Sequence, residues 1–395
     1  PFEGDRAAFS EEEKRKKGKQ TKMHFTYFMP AKILFGRDCV AENASLLRPF
    51  GKKALVVTGK SSAKNGALSD VLSALEANGQ KACVFDKVVA NPTLACVQAG
   101  AEEARRTGAD FVVGLGGGAA LDAAKAVAAL AYEPRADKDV FSGGWTGALP
   151  VAAVPTTAGT GSEVTQYAVL TDDFRRTKTS ISSPALFPGI AFLDGKYTAG
   201  LDKKITADTA ADALSHAVEG MFTVKSTPVS DLAALESIRI LFRIFPKIEA
   251  GSLADGDREE LLYASMLAGT VIAQSGTTAV HAMGYPLTYY KGTPHGEANG
   301  VLLGEMLALC EERLPERTER ILRAAGTKDV AAFKGALSRL LRGHARYEKS
   351  DLERWAEEAS ENPKLAGVTY RPDKEDILRM YLGSDILAEG ARSER

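Results

Sequence analysis

The chain has 395 residues, 45% of them hydrophobic and 26% charged, with a formal net charge of −1. That length exceeds one ordinary hydrophobic core, so two domains are expected, and the composition is that of a soluble globular protein. The near-neutral balance lacks the basic excess of a nucleic-acid binder, and no uninterrupted apolar run is long enough to span a bilayer.

Residues 1–22 are dense in charge and poor in apolar side chains. They are expected to form a solvated tail, native or appended, with Met23 as the natural start and no apolar stretch of a signal peptide. From about residue 50 the pattern alternates. Residues 54–58 (ALVVT), 81–85 (KACVF), 111–115 (FVVGL) and 151–154 (VAAV) read as buried strands. Helical stretches over 67–78, 92–106 and the alanine-rich 119–130 separate them. Strands alternating with helices imply a parallel sheet covered on both faces.

Beyond residue 200 helical periodicity dominates, over 206–223, 228–245, 257–275, 297–312, 329–343, 350–360 and 373–388. The expected organisation is a tail (1–22), an α/β domain (23–198) and an all-α domain (199–395), with the boundary near 194–204. The four cysteines form no CxxC pair. Scattered thiols read as buried residues of a reducing, cytoplasmic protein.

Three of the five histidines fall in two short segments of the helical half. In DTAADALSHAVEGMF, Asp212 and His216 are four apart, so one helix face presents both. In HAMGYPLTYYKGTPHGEANG, His281 is placed near the end of a helix. Pro286, Gly292 and Pro294 break the chain there, and His295 precedes the next helix. Alone, each is a surface pair or a satisfied core histidine; together they suit a borderline divalent ion such as Fe²⁺ or Zn²⁺. The absence of thiolate ligands argues against a purely structural zinc knot.

Two further segments suit an anionic ligand. Gly114-Leu115-Gly116-Gly117-Gly118-Ala119 joins the third strand to a helix, where glycines admit a diphosphate to the helix N-terminus. It lacks the Rossmann spacing and reads equally as a tight turn. Pro155-Thr156-Thr157-Ala158-Gly159-Thr160-Gly161-Ser162-Glu163 follows the fourth strand and gathers hydroxyls and amides. It reads as a phosphate or ribose cradle, as a helix start with Thr160 and Glu163 as a capping box, or as both. Lys178 is either a cation beside the ligand or a solvated strand lysine.

Taken together, GLGGGAALDAAK, VPTTAGTGSEVT, DALSHAVE and HAMGYPLTYYKGTPHGEANG resemble the iron-containing (group III) alcohol dehydrogenases, which share the dehydroquinate synthase-like fold. The resemblance covers residues 23 to about 390. It implies a Rossmann-like dinucleotide-binding α/β domain, a helical metal-binding domain, and an active site in the cleft between them. By motif position it implies Asp212, His216, His281 and His295 as metal ligands. Gly116, Gly117 and Gly118 would face the pyrophosphate. Asp122, Thr156, Thr157, Thr160, Ser162 and Lys178 would contact the rest of the cofactor, with Asn91 in a turn near the adenosine. Members are often dimers or larger, so a homo-oligomer is implied.

The sequence departs from the family pattern at three places. Ala119 stands where many members have serine. Tyr285 stands where many have a further histidine that aids proton transfer, so Tyr285 or water is the expected relay. After the first strand many NAD-preferring members carry aspartate, whereas this chain has Gly59-Lys60-Ser61-Ser62. Loss of that carboxylate removes repulsion of a 2′-phosphate, and a lysine with hydroxyls can bind one. Gly59, Ser61 and Ser62 are thus expected on the cofactor, and NADP(H) over NAD(H). The implied reaction is hydride transfer between nicotinamide and a small primary alcohol, diol or aldehyde, with His281 central to it. The alternatives are a dehydroquinate synthase-type lyase or a glycerol dehydrogenase-type enzyme.

Overall fold

A computed structural model describes residues 24–388; the charged segment 1–22 lies outside them. The four expected strands are present as β2 (Lys53–Thr58), β3 (Lys81–Phe85), β4 (Phe111–Gly116) and β5 (Val151–Pro155). Two strands that the sequence pattern did not reveal complete the sheet: β1 (Lys32–Phe35) and β8 (Ile190–Leu193). The order is β1-β8-β5-β4-β2-β3, and every neighbouring pair is parallel. Strands β2, β4 and β5 are buried along nearly their whole length, which is why they read as continuous valine-rich runs.

Connections are made by the one-turn helix α1 (Cys39–Glu42), α2 (Ala67–Ala77), α3 (Leu94–Thr107) and α4 (Gly118–Tyr132). From β2 the chain runs outward to β3, then returns to place β4 on the other side of β2. The sheet therefore reverses direction between β2 and β4, and the carboxyl ends of those strands frame a crevice of the kind that receives ligands in open α/β sheets. A further hairpin, β6 (Tyr167–Asp172) and β7 (Thr177–Ser182), pairs antiparallel outside the main sheet. It is half-buried, with alternating faces, so it lacks the apolar run that marks the central strands.

The helical region comprises α5 (Lys203–Met221), α6 (Pro228–Ala250), α7 (Asp255–Ser275), α8 (Ala279–Lys291), α9 (His295–Arg313), α10 (Pro315–Ala325), α11 (Val330–Leu340), α12 (Lys349–Ser360) and α13 (Lys374–Gly383). Two sequence expectations are corrected here. His281 lies in the first turn of α8 rather than near a helix end, and Pro286 sits inside that helix without breaking it. His295 opens α9 instead of preceding it. The carboxylate of Asp202 starts α5 by accepting from the Ile205 amide at 2.7 Å. No helix among the described residues is long and apolar enough to cross a membrane.

Of the cysteines, Cys39 and Cys310 are buried; Cys83 and Cys96 are only half-buried, and all four are free thiols. The two regions meet where the loop after β5 touches α7. Gly161 has φ +60°, and a β-carbon there would lie 2.4 Å from Cα of Gly269. A β-carbon on Gly269 would lie 2.7 Å from Cα of Gly161. Backbone meets backbone, so neither neighbour can give way by rotating a side chain. Gly269→Ala should destabilise the fold by about 1–3 kcal/mol, as overpacking does. A denaturation midpoint equal to that of the unmodified protein would contradict this packing.

Candidate metal and dinucleotide site

Helix α5 is buried along most of its length and presents Asp212 and His216 on one face. Three imidazole nitrogens close on the Asp212 carboxylate. Its Oδ1 lies 3.8 Å from His216 Nε2, 3.9 Å from His281 Nε2 and 3.8 Å from His295 Nε2. His216 Nε2 and His281 Nε2 face each other at 3.1 Å. Atoms each held about 2.0–2.2 Å from one first-row ion sit roughly 3–4 Å apart, the spacing seen here. Asp212, His216 and His281 form the tightest part of the group, and all three are buried. His295 is the most open, with its side chain 24% exposed to the cleft.

Charge and tautomer both fit a cation. Burial opposes ionisation of Asp212, but the imidazoles and the Asn299 amide outweigh it and hold the carboxyl down at about 2. Burial pushes the His216 imidazole down to about 4 and His295 well below its ordinary value. Neutral imidazoles are the ligand form. His281 Nδ1 is bonded to Glu219 Oε2, so the proton sits on Nδ1 and Nε2 is left as a bare lone pair aimed at the group. Converging lone pairs and a buried carboxylate repel one another unless a cation lies among them.

Three residues shape this centre that the sequence pattern did not single out. Glu219 is fully buried, and its Oε1 accepts from Thr278 N at 3.0 Å, Thr278 Oγ1 at 2.7 Å and Val280 N at 2.9 Å. It therefore fixes both the start of α8 and the tautomer of His281. Asn299 Nδ2 lies 2.9 Å from Asp212 Oδ1, 3.1 Å from His281 Nε2 and 3.2 Å from His295 Nε2. Gly296 brings α9 against α5: a β-carbon there would lie 1.9 Å from the Asp208 carbonyl. Spacing carries the first two, since Glu219 is three beyond His216 and Asn299 four beyond His295, each on the same helix face.

The glycine turn opens α4 at the carboxyl end of β4. A β-carbon on Gly118 would lie 2.7 Å from Thr160 Oγ1, and one on Gly117 3.1 Å from Thr157 Cγ2. Thr156 is buried, and its amide donates to the Gly116 carbonyl at 2.9 Å. Asp122 lines the cleft, but its oxygens are already engaged: Ser162 Oγ donates to Oδ1 and Val169 N to Oδ2 at 3.0 Å. It fastens the hydroxyl loop and β6 to α4.

Lys125, the last residue of the GLGGGAALDAAK run, completes that fastening. It is fully buried, donates to the Ser162 carbonyl at 3.0 Å and pairs with Asp122 Oδ1 at 3.3 Å. The capping box of Thr160 and Glu163 is not formed. Gly161 starts a short 3₁₀ turn with no side-chain cap. Glu163 is buried, and its desolvated carboxyl, with Oε1 unpartnered, is raised to about 7.

Lys178 Nζ donates to Asn91 Oδ1 at 3.2 Å on the wall of the cleft, and burial lowers its pKa. At the end of β2, Gly59 is half-buried and Ser61 exposed. Ser62 is fully buried, and its hydroxyl donates inward to the Leu115 carbonyl at 3.4 Å. One cleft of about 400 Å³ gathers Asn91, Gly118, Asp122, Thr160, Ser162, Lys178, Asp212, His216, His281, Tyr285 and His295. Gly59, Ser61, Gly116, Gly117, Thr156 and Thr157 do not line it. Tyr285 is 3% exposed and stacks on His295 with ring centroids 5.9 Å apart.

A doubly wound sheet with a glycine turn, facing helices that present a carboxylate and three imidazoles, is the scaffold of a metal- and dinucleotide-dependent oxidoreductase. Comparison with known proteins agrees. Residues 30–195 match the family described as iron-containing alcohol dehydrogenase, and residues 206–383 match the Fe-containing alcohol dehydrogenase family, C-terminal. Lactaldehyde reductase of Escherichia coli (strain K12) is 32% identical over 299 residues, covering 74% of this chain and 78% of the relative.

Among solved structures, an iron-containing alcohol dehydrogenase from Thermotoga maritima superposes with a TM-score of 0.85 at 39% identity, covering 91% of this chain and 99% of the other. Sulfoacetaldehyde reductase from Bifidobacterium kashiwanohense, solved with NAD⁺, gives 0.82 at 30% identity, covering 92% and 99%. The chain belongs to the iron-containing alcohol dehydrogenase family. It is a metal-dependent, nicotinamide-linked oxidoreductase acting on alcohols, and the lyase alternative is not favoured.

Because Glu219 sets the tautomer of His281, Glu219→Gln should weaken metal binding by about 10–100-fold, as loss of such a partner does. Competition with a chelator during Zn²⁺ titration measures this, and unchanged affinity would show that Glu219 serves only the fold.

Proposed function

We propose that Asp212, His216, His281 and His295 together hold one divalent ion, Fe²⁺ first and Zn²⁺ second. On this reading the enzyme interconverts a small primary alcohol or diol with its aldehyde. The observation that carries it is the convergence of one carboxylate and three imidazoles in the cleft that also holds the glycine turn. When bound, the ion supplies a Lewis acid for the substrate oxygen and the nicotinamide supplies or accepts hydride.

The chain's own residues place and protect these groups. His281, aligned by Glu219, is the central member of the set. The glycine turn and the Thr156–Thr160 segment position the cofactor backbone at the N-terminus of α4, where the helix favours anions. Lys178 and Asn91 hold its outer part. Tyr285, packed on His295 at the cleft wall, takes or returns the alcohol proton, directly or through water. The division at residues 198/199 separates the cofactor-holding part from the metal-holding part. A homo-oligomer in the cytoplasm is the accompanying expectation, in keeping with four free thiols.

NADP(H) is the preferred cofactor on this proposal. The turn after β2 offers Gly59, with no carboxylate, followed by exposed Lys60 and Ser61. With Ser62 turned inward, those two residues and the backbone carry the preference. Relatives that use NAD⁺ do not oppose it, because the distinction lies in this short turn.

Two measurements test the proposal. Fe²⁺-loaded protein should consume NADPH, followed at 340 nm, with a short aldehyde, whereas His281→Ala should lose at least about 100-fold in turnover while retaining cofactor affinity. Full activity of that variant would remove the centre from the reaction. Separately, Gly59 has φ −101° and ψ 173°, a conformation aspartate adopts readily. Gly59→Asp should lower the NADPH-to-NADH ratio of kcat/KM by about tenfold or more through charge repulsion. An unmoved ratio would place the cofactor preference elsewhere.

A further inference from the structure

The cleft contains a second lysine that neither the metal set nor the cofactor reading uses. Lys364 lies in the short 3₁₀ segment Pro363–Gly367, between α12 and α13. Its backbone amide is held by Asn362 Oδ1 at 3.0 Å, which caps that segment. The segment is also tied to the end of α5: Val224 N donates to the Gly367 carbonyl at 2.9 Å and Thr369 N to the Phe222 carbonyl at 2.8 Å. The side chain therefore projects from a fixed platform.

Its ammonium donates to Thr277 Oγ1 at 2.8 Å and lies 5.6 Å from the centre of the Tyr285 ring. No carboxylate among the described residues pairs with it. An ammonium has three donors, and one hydroxyl with one ring face satisfies only part of that capacity. The same Tyr285 ring packs on His295, so a single aromatic side chain separates Lys364 from the metal-binding group. Lys364 reaches the cleft from the helical part, as the metal set does. The groups facing the glycine turn come from the α/β part. A half-buried cation in this cleft, lacking an acidic partner among the described residues, suits an anion.

We infer that Lys364 binds the charged end of the substrate, and that the preferred substrates are short aldehydes bearing a terminal anionic group, carboxylate or sulfonate, with the corresponding hydroxy acids in the other direction. This rests on the alcohol dehydrogenase reading of the same site. The aldehyde oxygen would lie at the imidazole–carboxylate centre and the anion at Lys364, with Tyr285 flanking the carbon chain between them. Atoms balance as in any such reduction: hydride from the nicotinamide and one proton convert the aldehyde to the alcohol, and the anionic group is unchanged.

The test is a ratio of kcat/KM values on metal-loaded enzyme, for succinic semialdehyde against its neutral methyl ester and for a sulfonated propanal against propanal. In the unmodified protein each anionic member should be favoured by about tenfold or more, and its KM should rise with ionic strength while that of the neutral member stays flat. Lys364→Met should reduce both ratios at least about tenfold, Lys364→Glu should invert them, and Lys364→Arg should retain most of the preference. A second readout avoids turnover: butyrate should compete with the semialdehyde more strongly than butyramide, and Lys364→Met should abolish that difference. Turnover of the neutral aldehydes with ratios that Lys364→Met leaves unmoved overturns this inference alone. Absence of cofactor consumption with every aldehyde overturns the dehydrogenase reading and this inference together.

Discussion

The structure is organised around an electrostatic problem: an ionised Asp212 carboxylate buried among imidazoles that face it with lone pairs. Burying a charge is costly unless it is paired and hydrogen-bonded. Here three separate helices converge to supply the surroundings. Helix α5 gives Asp212 and His216, the first turn of α8 gives His281, and the first residue of α9 gives His295. Their approach depends on small residues, most directly on Gly296, where any side chain would strike the α5 backbone. Asn299 contributes an amide donor that reaches the group, and Glu219 fixes the ring that α8 contributes. A cluster so assembled is stable as a set of ligands and poorly stable as an ordinary core, which is the physical sense in which the helical region is built for a cation.

One of several contacts that couple the α/β region to the helical region is a loop that also meets the glycine turn. The segment after β5 touches the glycine turn at Thr157 and Thr160 and then crosses to α7 at Gly161. Lys125 and Asp122 hold its far end to α4 and β6. The residues that read as cofactor contacts thus divide by role. Thr160 and Gly118 face each other at the cleft, whereas Asp122 and Ser162 bond mainly to one another and set the loop's position. A substitution at Asp122 loosens this loop, whose position its carboxylate sets through Ser162 and Val169.

How much of this is legible in the amino-acid sequence depends on the signal each residue leaves there. The central strands announce themselves because burial on both faces leaves an unbroken apolar run. β1, β8 and the β6–β7 hairpin are short or half-exposed, and their patterns merge with loops. The carboxylate–imidazole cluster is legible as a spacing on α5 and as two histidines flanking a turn. The placement of His281 in its helix is not, because Pro286 looks like a breaker and lies inside α8. Glu219 and Asn299 occupy helical positions that the same spacing argument reaches. The inward turn of the Ser62 hydroxyl, to the Leu115 carbonyl, leaves no such signal in the sequence. Lys364 leaves no trace at all, since only the packing of a distant 3₁₀ segment beside Tyr285 brings it to the cleft.

Charge accounting across the cleft ties these parts together. Burial opposes ionisation of both Asp212 and Glu219, but the imidazoles hold each carboxyl below its ordinary value. Two buried carboxylates balance one divalent ion, which leaves the centre close to neutral and so able to strengthen a developing alkoxide without a standing excess of charge. Any further charge entering the cleft must then find its own counterpart. Lys178, beside Asn91, is close enough to Asp212 and His295 for their charges to act on one another, and Lys364 lies beside Thr277. Two cations thus stand in the cleft, and Tyr285 lies between the Lys364 charge and His295. That separation matters because an ammonium placed directly against the imidazoles would oppose the binding of a metal ion, whereas across an aromatic face it can draw in a negatively charged substrate while leaving the metal set intact.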